Sequence, residues 1–331
     1  MNFNFSGTVF TFIFCLFFIP ANAQENDVDL LVGDLLKVFD DFALPAAEAT
    51  AYQSNSGWFS SAKPLRLWEI DFSIHGNLLF VPAKKTTSTA NNANFEIIKI
   101  RGAETANIPT AFGGETDVFF DGEVNFFGEP TQFEFQALEG LGKKSVYHSF
   151  FQIAVGLPFG TEFSARFAPE ISSSEVKIFS YGMAVKHNFN QYFSNSSTTD
   201  FQFAALLSYT NFDVDYEYDP MKIGEIVVFD ALQVHSDLWS LQLISSKTFT
   251  DSGWEIFGAL GIANSNFEYE LGGNGIALEG MNKELKKLGD NEITLQGHLG
   301  LNYSINEFMI SSELVFGEYY NGNMSLHFRF W

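Results

Sequence analysis

The sequence predicts an all-β fold, a transmembrane up-and-down antiparallel β-barrel of about 12 strands (range about 10–14) behind a short N-terminal helical plug. Aromatic residues make up 17% of the chain and include 39 Phe, yet no long uninterrupted apolar run follows the N-terminus. The final stretch, Asn321–Trp331, alternates apolar and polar residues up to its aromatic end. Trp68–Phe80 alternates in the same way over a length that can cross a bilayer at a tilt. These features predict strands with one lipid face and one lumen face.

The first 23 residues have the pattern of a secretory signal peptide. Their apolar core lies within Val9–Ile19, and Ala21-Asn22-Ala23 is a small-x-small cleavage site, although Lys and Arg are missing before the core. We therefore expect the mature protein to begin at Gln24 and to lose Cys15, the only cysteine of the chain. A mature chain without cysteine has no disulfide and no thiolate metal site.

The charge balance is strongly acidic, with 40 acidic against 18 basic residues. Nucleic-acid binding requires clustered positive charge, so nucleic acid is not an expected partner. No cofactor or metal is expected, because the chain has no phosphate-binding glycine loop, nucleophile elbow or His-Glu-x-x-His motif. Four alternating carboxylates, Asp213, Asp215, Glu217 and Asp219, are interpreted as a solvated row rather than a calcium site.

The plug is predicted from helical periodicity that precedes all the strands. Apolar residues recur at helical spacing over Val28–Phe42, Pro45 interrupts this helix, and a second piece is expected over Ala46–Tyr52. The apolar stripe needs a partner, which favours packing in the barrel mouth over a free periplasmic tail. The predicted domains are the signal peptide (residues 1–23), the plug (24–65) and the barrel (66–331).

The barrel strands follow from period-two alternation. Between the first and last strands, clear segments are expected at Ser149–Leu157, Phe163–Phe167, Val176–Phe189, Phe201–Tyr209, Trp239–Leu243, Trp254–Ile262, Ile293–Tyr303 and Phe308–Phe316. Two weaker segments, Phe95–Arg101 and Val118–Phe127, complete the count of about 12.

Loop lengths give the expected orientation. If the C-terminus is periplasmic, the short turns at 157–160, 249–253 and 304–307 are periplasmic as well. Gly272–Asn291 and Tyr218–Ser236 are then expected to be long external loops. Aromatic girdles are expected from Trp68, Trp254 and Tyr303 at the periplasmic interface and from Trp239, Tyr319 and Tyr320 at the external one.

The polar strand faces supply the candidate lumen-lining residues. They are Glu69, Asp71, His75, Glu162, Arg166, Glu255, Glu292, Gln296, His298, Glu313, His327 and Arg329. Buried charges must be paired or hydrated, so this set can form an ion-pair network that holds the plug, or a permeation path or binding surface. Catalysis ranks last, because no Ser or Thr is clearly placed as a nucleophile beside His75 or His298, and no catalytic residue is predicted.

Three short motifs, together with the N-terminal helical segment, carry a family resemblance. They are Asn55–Pro64, Ile108–Gly113 and Tyr181–His187. In these the chain resembles an uncharacterised family of Gram-negative outer-membrane barrels related in style to long-chain fatty-acid transporters. The resemblance implies an N-terminal hatch and uptake of hydrophobic molecules. Such transporters are usually longer and have more strands, so no ligand residue is carried over.

The expected function is a channel or transporter for a small solute in the outer membrane of a Gram-negative bacterium, with a hydrophobic solute if the resemblance extends to the ligand. The alternative is a non-transporting barrel that anchors a partner protein, and a barrel lipid hydrolase ranks below both. Expected partners are outer-membrane lipid, lipopolysaccharide and the barrel-assembly machinery, which would read the C-terminal strand. No enzymatic activity is expected.

Overall fold

The computed structural model describes residues 27–126, 129–172, 176–193, 201–223, 227–249, 252–275, 278–286 and 291–331. The expected signal peptide lies outside the described residues. The helices are α1 (Asp27–Ser54) and α2 (Leu278–Leu285). The strands are β1 (Ile70–Phe80), β2 (Thr87–Asn91), β3 (Ile98–Ile100), β4 (Thr105–Pro109), β5 (Phe119–Phe126), β6 (Glu129–Gln136), β7 (Ser145–Leu157), β8 (Thr161–Ser172), β9 (Val176–Asn188), β10 (Phe201–Ile223), β11 (Val227–Phe249), β12 (Trp254–Gly275), β13 (Asn291–Ile305), β14 (Phe308–Phe316) and β15 (Tyr320–Phe330).

A closed antiparallel barrel is formed by β1 and β7–β15, in the order β1-β15-β14-β13-β12-β11-β10-β9-β8-β7. These are ten strands, two fewer than the expected number of about 12 and the lower bound of the expected range of about 10–14. The weak segments Phe95–Arg101 and Val118–Phe127 contribute β3 and β5, which belong to a separate three-stranded sheet, β3-β5-β6. β3 has 3 residues and β5 has 8, fewer than the roughly 9–11 that a membrane-spanning strand needs.

The two ends of the barrel differ. At the turn end, β1 begins, β15 finishes, and short connections join β7 to β8, β11 to β12 and β13 to β14. At the opposite end, here called the extension end, β10, β11 and β12 rise well beyond their neighbours, at 23, 23 and 22 residues. The expectation of a long loop over Tyr218–Ser236 is wrong, because β10 and β11 stay paired up to Ile223 and Val227.

An external layer covers the extension end. It contains β2–β6, the first half of α1, helix α2 and the inner faces of the tall strands, and its core includes the fully buried Phe120, Phe212, Phe229 and Phe267. Asp34 on α1 ties the layer together, because its carboxylate accepts hydrogen bonds from the main-chain N–H groups of Glu96, Ile97 and Ile98 at 2.7–3.0 Å.

Helix α1 is continuous through Pro45, so the expected interruption is wrong. Proline removes one helical hydrogen bond, a cost that tertiary packing can outweigh. Ala43 and Ala47 on either side are buried, and the carbonyl of Pro45 accepts a hydrogen bond from the Tyr319 hydroxyl at 2.8 Å. Tyr319 therefore points inward and is fully buried, which excludes it from the expected external girdle.

The outer surface of the strands carries an apolar band. On β10 the large outward residues are Phe201, Phe203, Leu207 and Tyr209, and polar outward residues follow from Asn211 upward. At the turn end, Trp254 packs against Tyr303 with ring centroids 4.6 Å apart. Trp331 leaves the strand alternation, and its indole N–H donates to the Leu67 carbonyl at 2.8 Å. No helix in the described part of the chain is long and apolar enough to cross a membrane.

Candidate functional site: the occupied lumen

The candidate site is the barrel interior, which the chain itself occupies. Residues 52–66, here called the lumen segment, begin in the last turn of α1 and run from the extension end to the turn end. At the extension end the Tyr52 hydroxyl donates to the Leu295 carbonyl at 3.0 Å and accepts from the Glu318 N–H at 2.8 Å. At the turn end the Leu65 N–H donates to Glu162 at 2.6 Å. The lumen segment therefore crosses the barrel from end to end.

Inward side chains around the barrel wall hold the lumen segment by its backbone. Donors to its carbonyl groups include Asn77 on β1, Gln152 on β7, Arg166 on β8, Lys186 and Asn188 on β9, Gln242 on β11 and Asn302 on β13. Acceptors from its N–H groups include Glu162 on β8, Ser246 on β11 and Glu313 on β14. A segment without regular structure needs such partners when it is buried, because unpaired polar groups are costly.

Arg166 makes the most extensive of these contacts. Its guanidinium donates to the carbonyl oxygens of Ser54 and Ser56, both at 2.8 Å. The same group lies between the rings of Trp58 and Phe150, 3.9 Å from each ring centroid. Because Ser54 is the last residue of α1, a cation here meets unsatisfied carbonyls and the negative end of the helix dipole. Arg166 thus holds the chain at the point where α1 ends within the lumen segment.

Gly57 allows the chain to turn just below this point. Its φ is +73°, and an added Cβ would lie 2.9 Å from Nδ1 of His75 and 3.1 Å from Cζ of Phe150. Its N–H donates to Glu313 at 2.7 Å, and the second oxygen of Glu313 lies 2.8 Å from Nδ1 of His298. Only glycine fits this turn without strain, because it combines a left-handed conformation with close neighbours.

The turn end of the lumen contains a cluster of ion pairs beside a cavity of about 340 Å³. Asp71 lies 2.9 Å from Nδ1 of His327 and 2.8 Å from Nε of Arg329. Glu162 pairs with Lys186 at 3.0 Å, and both side chains are buried. Asp71 and Glu162 thus each have a basic partner, as buried charges require, and Glu255 at the same cavity accepts a hydrogen bond from the Ser61 hydroxyl.

The predicted lumen residues fall into three groups. Glu162, Arg166, Glu255 and Glu313 contact the lumen segment directly, and Glu69 pairs with its last residue, Arg66. His327 and Arg329 both bond to Asp71, whereas His298 bonds to Glu313 and lies beside Phe59 of the segment, with ring centroids 5.6 Å apart. Gln296 is buried, and the side chain of Glu292 lies outside the described part.

Two serines lie closer to histidines than the sequence suggested. Ser73 Oγ is 2.9 Å from Nε2 of His75, and Ser325 Oγ is 2.9 Å from Nε2 of His327. His75 is further bonded to Asn323 at 3.2 Å rather than to a carboxylate. Residues two apart on a strand share a face, which explains both pairs. The two serines are buried, with 2% and 6% of the residue exposed. We therefore interpret the two serine–histidine hydrogen bonds as structural.

Sequence reasoning missed several residues that hold the lumen segment. Asn77, Lys186, Asn188, Gln242 and Asn302 were not chosen, although each has the inward parity of its strand. The available signal was that parity, and four of the five missed residues are amides, whereas nearly all of the predicted lumen residues are charged residues or histidines. Amides matter here because one side chain can donate to a carbonyl without burying a charge.

Comparisons with solved structures return β-barrel proteins at low overall similarity. The translocator domain of autotransporter NalP from Neisseria meningitidis is 9% identical, with 89% of this chain and 99% of that chain covered and a TM-score of 0.36. The KdgM porin is 9% identical, with 56% and 93% covered and a TM-score of 0.26. A loop-deletion mutant of OmpT, an outer membrane protein of Vibrio cholerae, is 10% identical, with 79% and 99% covered and a TM-score of 0.20.

Sequence comparisons give one family. No curated protein sequence matches the chain. The profile of a family of unknown function, DUF6588, matches residues 4–330, nearly the whole chain.

Proposed function

The chain belongs to the DUF6588 family, whose function is unknown, and we propose that it is a gated outer-membrane barrel that carries a small solute when the lumen segment moves. The turn end faces the periplasm and the extension end faces outward. This orientation is supported by the short turns at one end and the external layer at the other, an asymmetry typical of outer-membrane barrels.

The observation that carries the proposal is the polar character of the contact between the lumen segment and the wall. The segment is held by hydrogen bonds to β1, β8, β9, β11, β13 and β14 rather than by an apolar core alone. Water can replace hydrogen bonds when a segment moves away, so these contacts can open at modest cost. The apolar core of α1 lies in the external layer, where it can stay folded while the lumen segment shifts.

A disulfide can test this gate, because the expected mature chain has no cysteine. Ser61 Oγ lies 3.4 Å from Ser246 Oγ on β11, so the pair Ser61→Cys and Ser246→Cys is close enough to be joined. In planar bilayers and in liposome-swelling assays, we expect the reduced protein to conduct intermittently and the oxidised protein to stay closed. A Ser246→Cys single variant controls for the substitution. Equal sealing of both redox forms, even after Arg166→Met, would make solute transport untenable.

A second candidate, a barrel that anchors a partner protein, is favoured by one feature of the external layer. A groove of about 800 Å³ lies between β6, which is an edge strand of its sheet among the described residues, and the upper part of β10, and it is lined by Phe135, Leu138, Tyr216, Tyr218 and Met221. Unpaired strand edges beside apolar side chains are common sites of protein association. The same disulfide variant separates the two functions, because an anchoring barrel would still bind its partner protein when the disulfide holds the lumen segment in place.

A further inference from the structure

The lipid-facing surface has a hollow near the turn end of β10–β12. It has a volume of about 490 Å³. Its floor is formed by Ser245 and Gly258, which are cross-strand partners with little or no side chain. The walls are the larger outward residues Phe203, Leu243 and Leu260. Leu243 is 61% exposed and Leu260 is 75% exposed, so both stand clear of the floor.

A lysine lies at the lower edge of the hollow. Lys247 is two residues nearer the turn end than Ser245, and its outward side chain also lines the hollow. Its Nζ is 4.9 Å from the ring centroid of Phe201 and 5.5 Å from that of Phe249. On the outward positions of the apolar band of β10–β12, Lys247 is the only cation within the described residues, and no carboxylate lies within ion-pair distance of it there.

The position of Lys247 identifies the kind of anion that would meet it. A cation on a lipid-facing position is costly unless it reaches the interface or an anionic group. The row just below it on the barrel contains Phe249 and Trp254, aromatic side chains of the kind that sit at headgroup level. The ammonium is therefore within reach of lipid phosphates in the leaflet at the turn end. An acyl chain from the same lipid would extend upward, along the direction of the hollow.

We infer that Lys247 and the Ser245–Gly258 hollow form a binding site for one phospholipid of the periplasmic leaflet, with its phosphate on the ammonium and an acyl chain over the two small residues. This site rests on the proposed insertion into the outer membrane. It does not depend on whether solute passes through the lumen. Lipopolysaccharide is a different source of phosphate, and it would approach from the extension end.

Native mass spectrometry of the full-length protein in detergent, titrated with phosphatidylglycerol, tests the site. The wild type should retain one lipid. Lys247→Gln should weaken retention about fivefold, the effect of one basic residue near an anionic lipid. Ser245→Phe fills the hollow with the charge intact and should also reduce retention. Lys222→Gln, an exposed cation at the extension end, is the matched control and should bind like the wild type.

Two results would overturn the inference. One is equal phosphatidylglycerol retention by all four proteins. The other is retention of purified lipopolysaccharide, but not phosphatidylglycerol, that depends on Lys247. Flotation of the wild type with phosphatidylglycerol-containing vesicles separates this failure from that of the proposed function. Protein that floats but shows no Lys247 dependence lacks the lipid site alone, whereas protein that does not float lacks the membrane location on which both depend.

Discussion

The indole ring of Trp58 lies 3.9 Å from the guanidinium carbon of Arg166, deep inside the barrel. Trp58 belongs to the lumen segment and Arg166 to the wall, so this contact joins the segment to the barrel. Arg166 also donates to two carbonyls at the end of α1. One buried side chain thereby positions the helix end and the start of the lumen segment.

Replacing Arg166 should release the lumen segment. Arg166→Met leaves the carbonyls of Ser54 and Ser56 without their donor. We expect the free energy that holds the lumen segment against the barrel wall to fall by about 3 kcal/mol. The expected readouts are longer open times in planar bilayers and faster trypsin cleavage after Arg66, the basic residue of the segment that is not followed by proline. Arg166→Lys keeps the charge but not the forked geometry and should give an intermediate effect. Unchanged cleavage in both variants would contradict the role assigned to Arg166.

Gly57 should tolerate no side chain. Gly57→Ala introduces a Cβ at a φ of +73° and within 2.9 Å of His75, and we expect a cost of about 1–3 kcal/mol. Gly33→Ala is the matched control, because an added Cβ there has nothing within 4 Å and a helical Ala is favourable. Thermal unfolding followed by circular dichroism should show a lower midpoint for Gly57→Ala and an equal or higher midpoint for Gly33→Ala.

The ion pairs of Lys85 with Glu48 and Glu318 at the extension end should persist until strongly alkaline pH. Lys85 Nζ lies 2.5 Å from Glu48 on α1 and 3.1 Å from Glu318 in the β14–β15 turn. Burial alone would lower the pKa of Lys85, but the hydrogen bonds to Glu48 and Glu318 outweigh burial and raise the pKa above its ordinary 10.5. A raised lysine pKa gives stability that is complete below the unfolded value and is lost as pH rises through the folded value.

The direction of the Lys85 pKa shift can be tested by measuring stability at two pH values. The unfolding midpoint of the wild type should include the Lys85 contribution at pH 8 and lose it as pH rises through the pKa of Lys85 in the folded protein, which lies above 10.5. Lys85→Met should be less stable than the wild type at pH 8, by about 1–3 kcal/mol, and the difference should shrink at the higher pH. A difference that grows with pH would show that Lys85 is not held as a cation.

Charge placed on the apolar band should cost stability according to depth. Leu241 is outward and 47% exposed, with Leu207 and Ile262 as its cross-strand neighbours. Leu241→Arg should cost about 2–4 kcal/mol in lipid vesicles, as expected for arginine at the bilayer midplane. Trp239→Arg, two residues nearer the interface, should cost about 1 kcal/mol or less for the charge itself. Urea titration in vesicles measures both, and equal small costs would argue against a lipid-facing band.

The serine and histidine pairs should be chemically inert. Ser73 and Ser325 are buried, and the partner of His327, Asp71, is also bound by Arg329. A fluorophosphonate probe, which labels activated serines, should therefore modify neither residue of the folded full-length protein. Ser73→Ala and Ser325→Ala serve as the assignment controls in the mass spectrum. Labelling of wild-type Ser73 that disappears in His75→Ala would establish a nucleophile and revive the hydrolase alternative.

The sequence contains enough information to assign strand faces but not to assign strands to sheets. Alternation placed Ile70, Phe72 and Ile74 outward, as the structure has them. The same alternation occurs in β5, which belongs to the external layer, because any sheet with one buried face has period two. Only pairing partners and length distinguish the two cases, and partners 60 or more residues away leave no local signal, as for β1 and β7.

The candidate site was less predictable for a different reason. Residues 55–66 have no helical or strand period, since their backbone bonds go to side chains on distant strands. Such bonds depend on the closed barrel and leave no pattern within the segment itself. Pro45 is the reverse case, in which a local signal was present but misleading. Proline does disfavour a helix interior, yet the packing around Pro45 outweighs that cost and α1 continues through it.

The route of the chain also constrains how the molecule can be made. Asp27 at the start of α1 bonds to Asn125 in the external layer, whereas Trp68, just before β1, donates to Gly156 at the turn end. The polypeptide is thus threaded through the ring formed by its own later strands. If β1 and β15 join last, the ring closes around a thread already in place. If they join earlier, about 40 residues must be pulled through a finished pore, against the loss of conformational entropy. Pairing β1 with β15 last, after the N-terminal residues are in place, therefore costs less free energy.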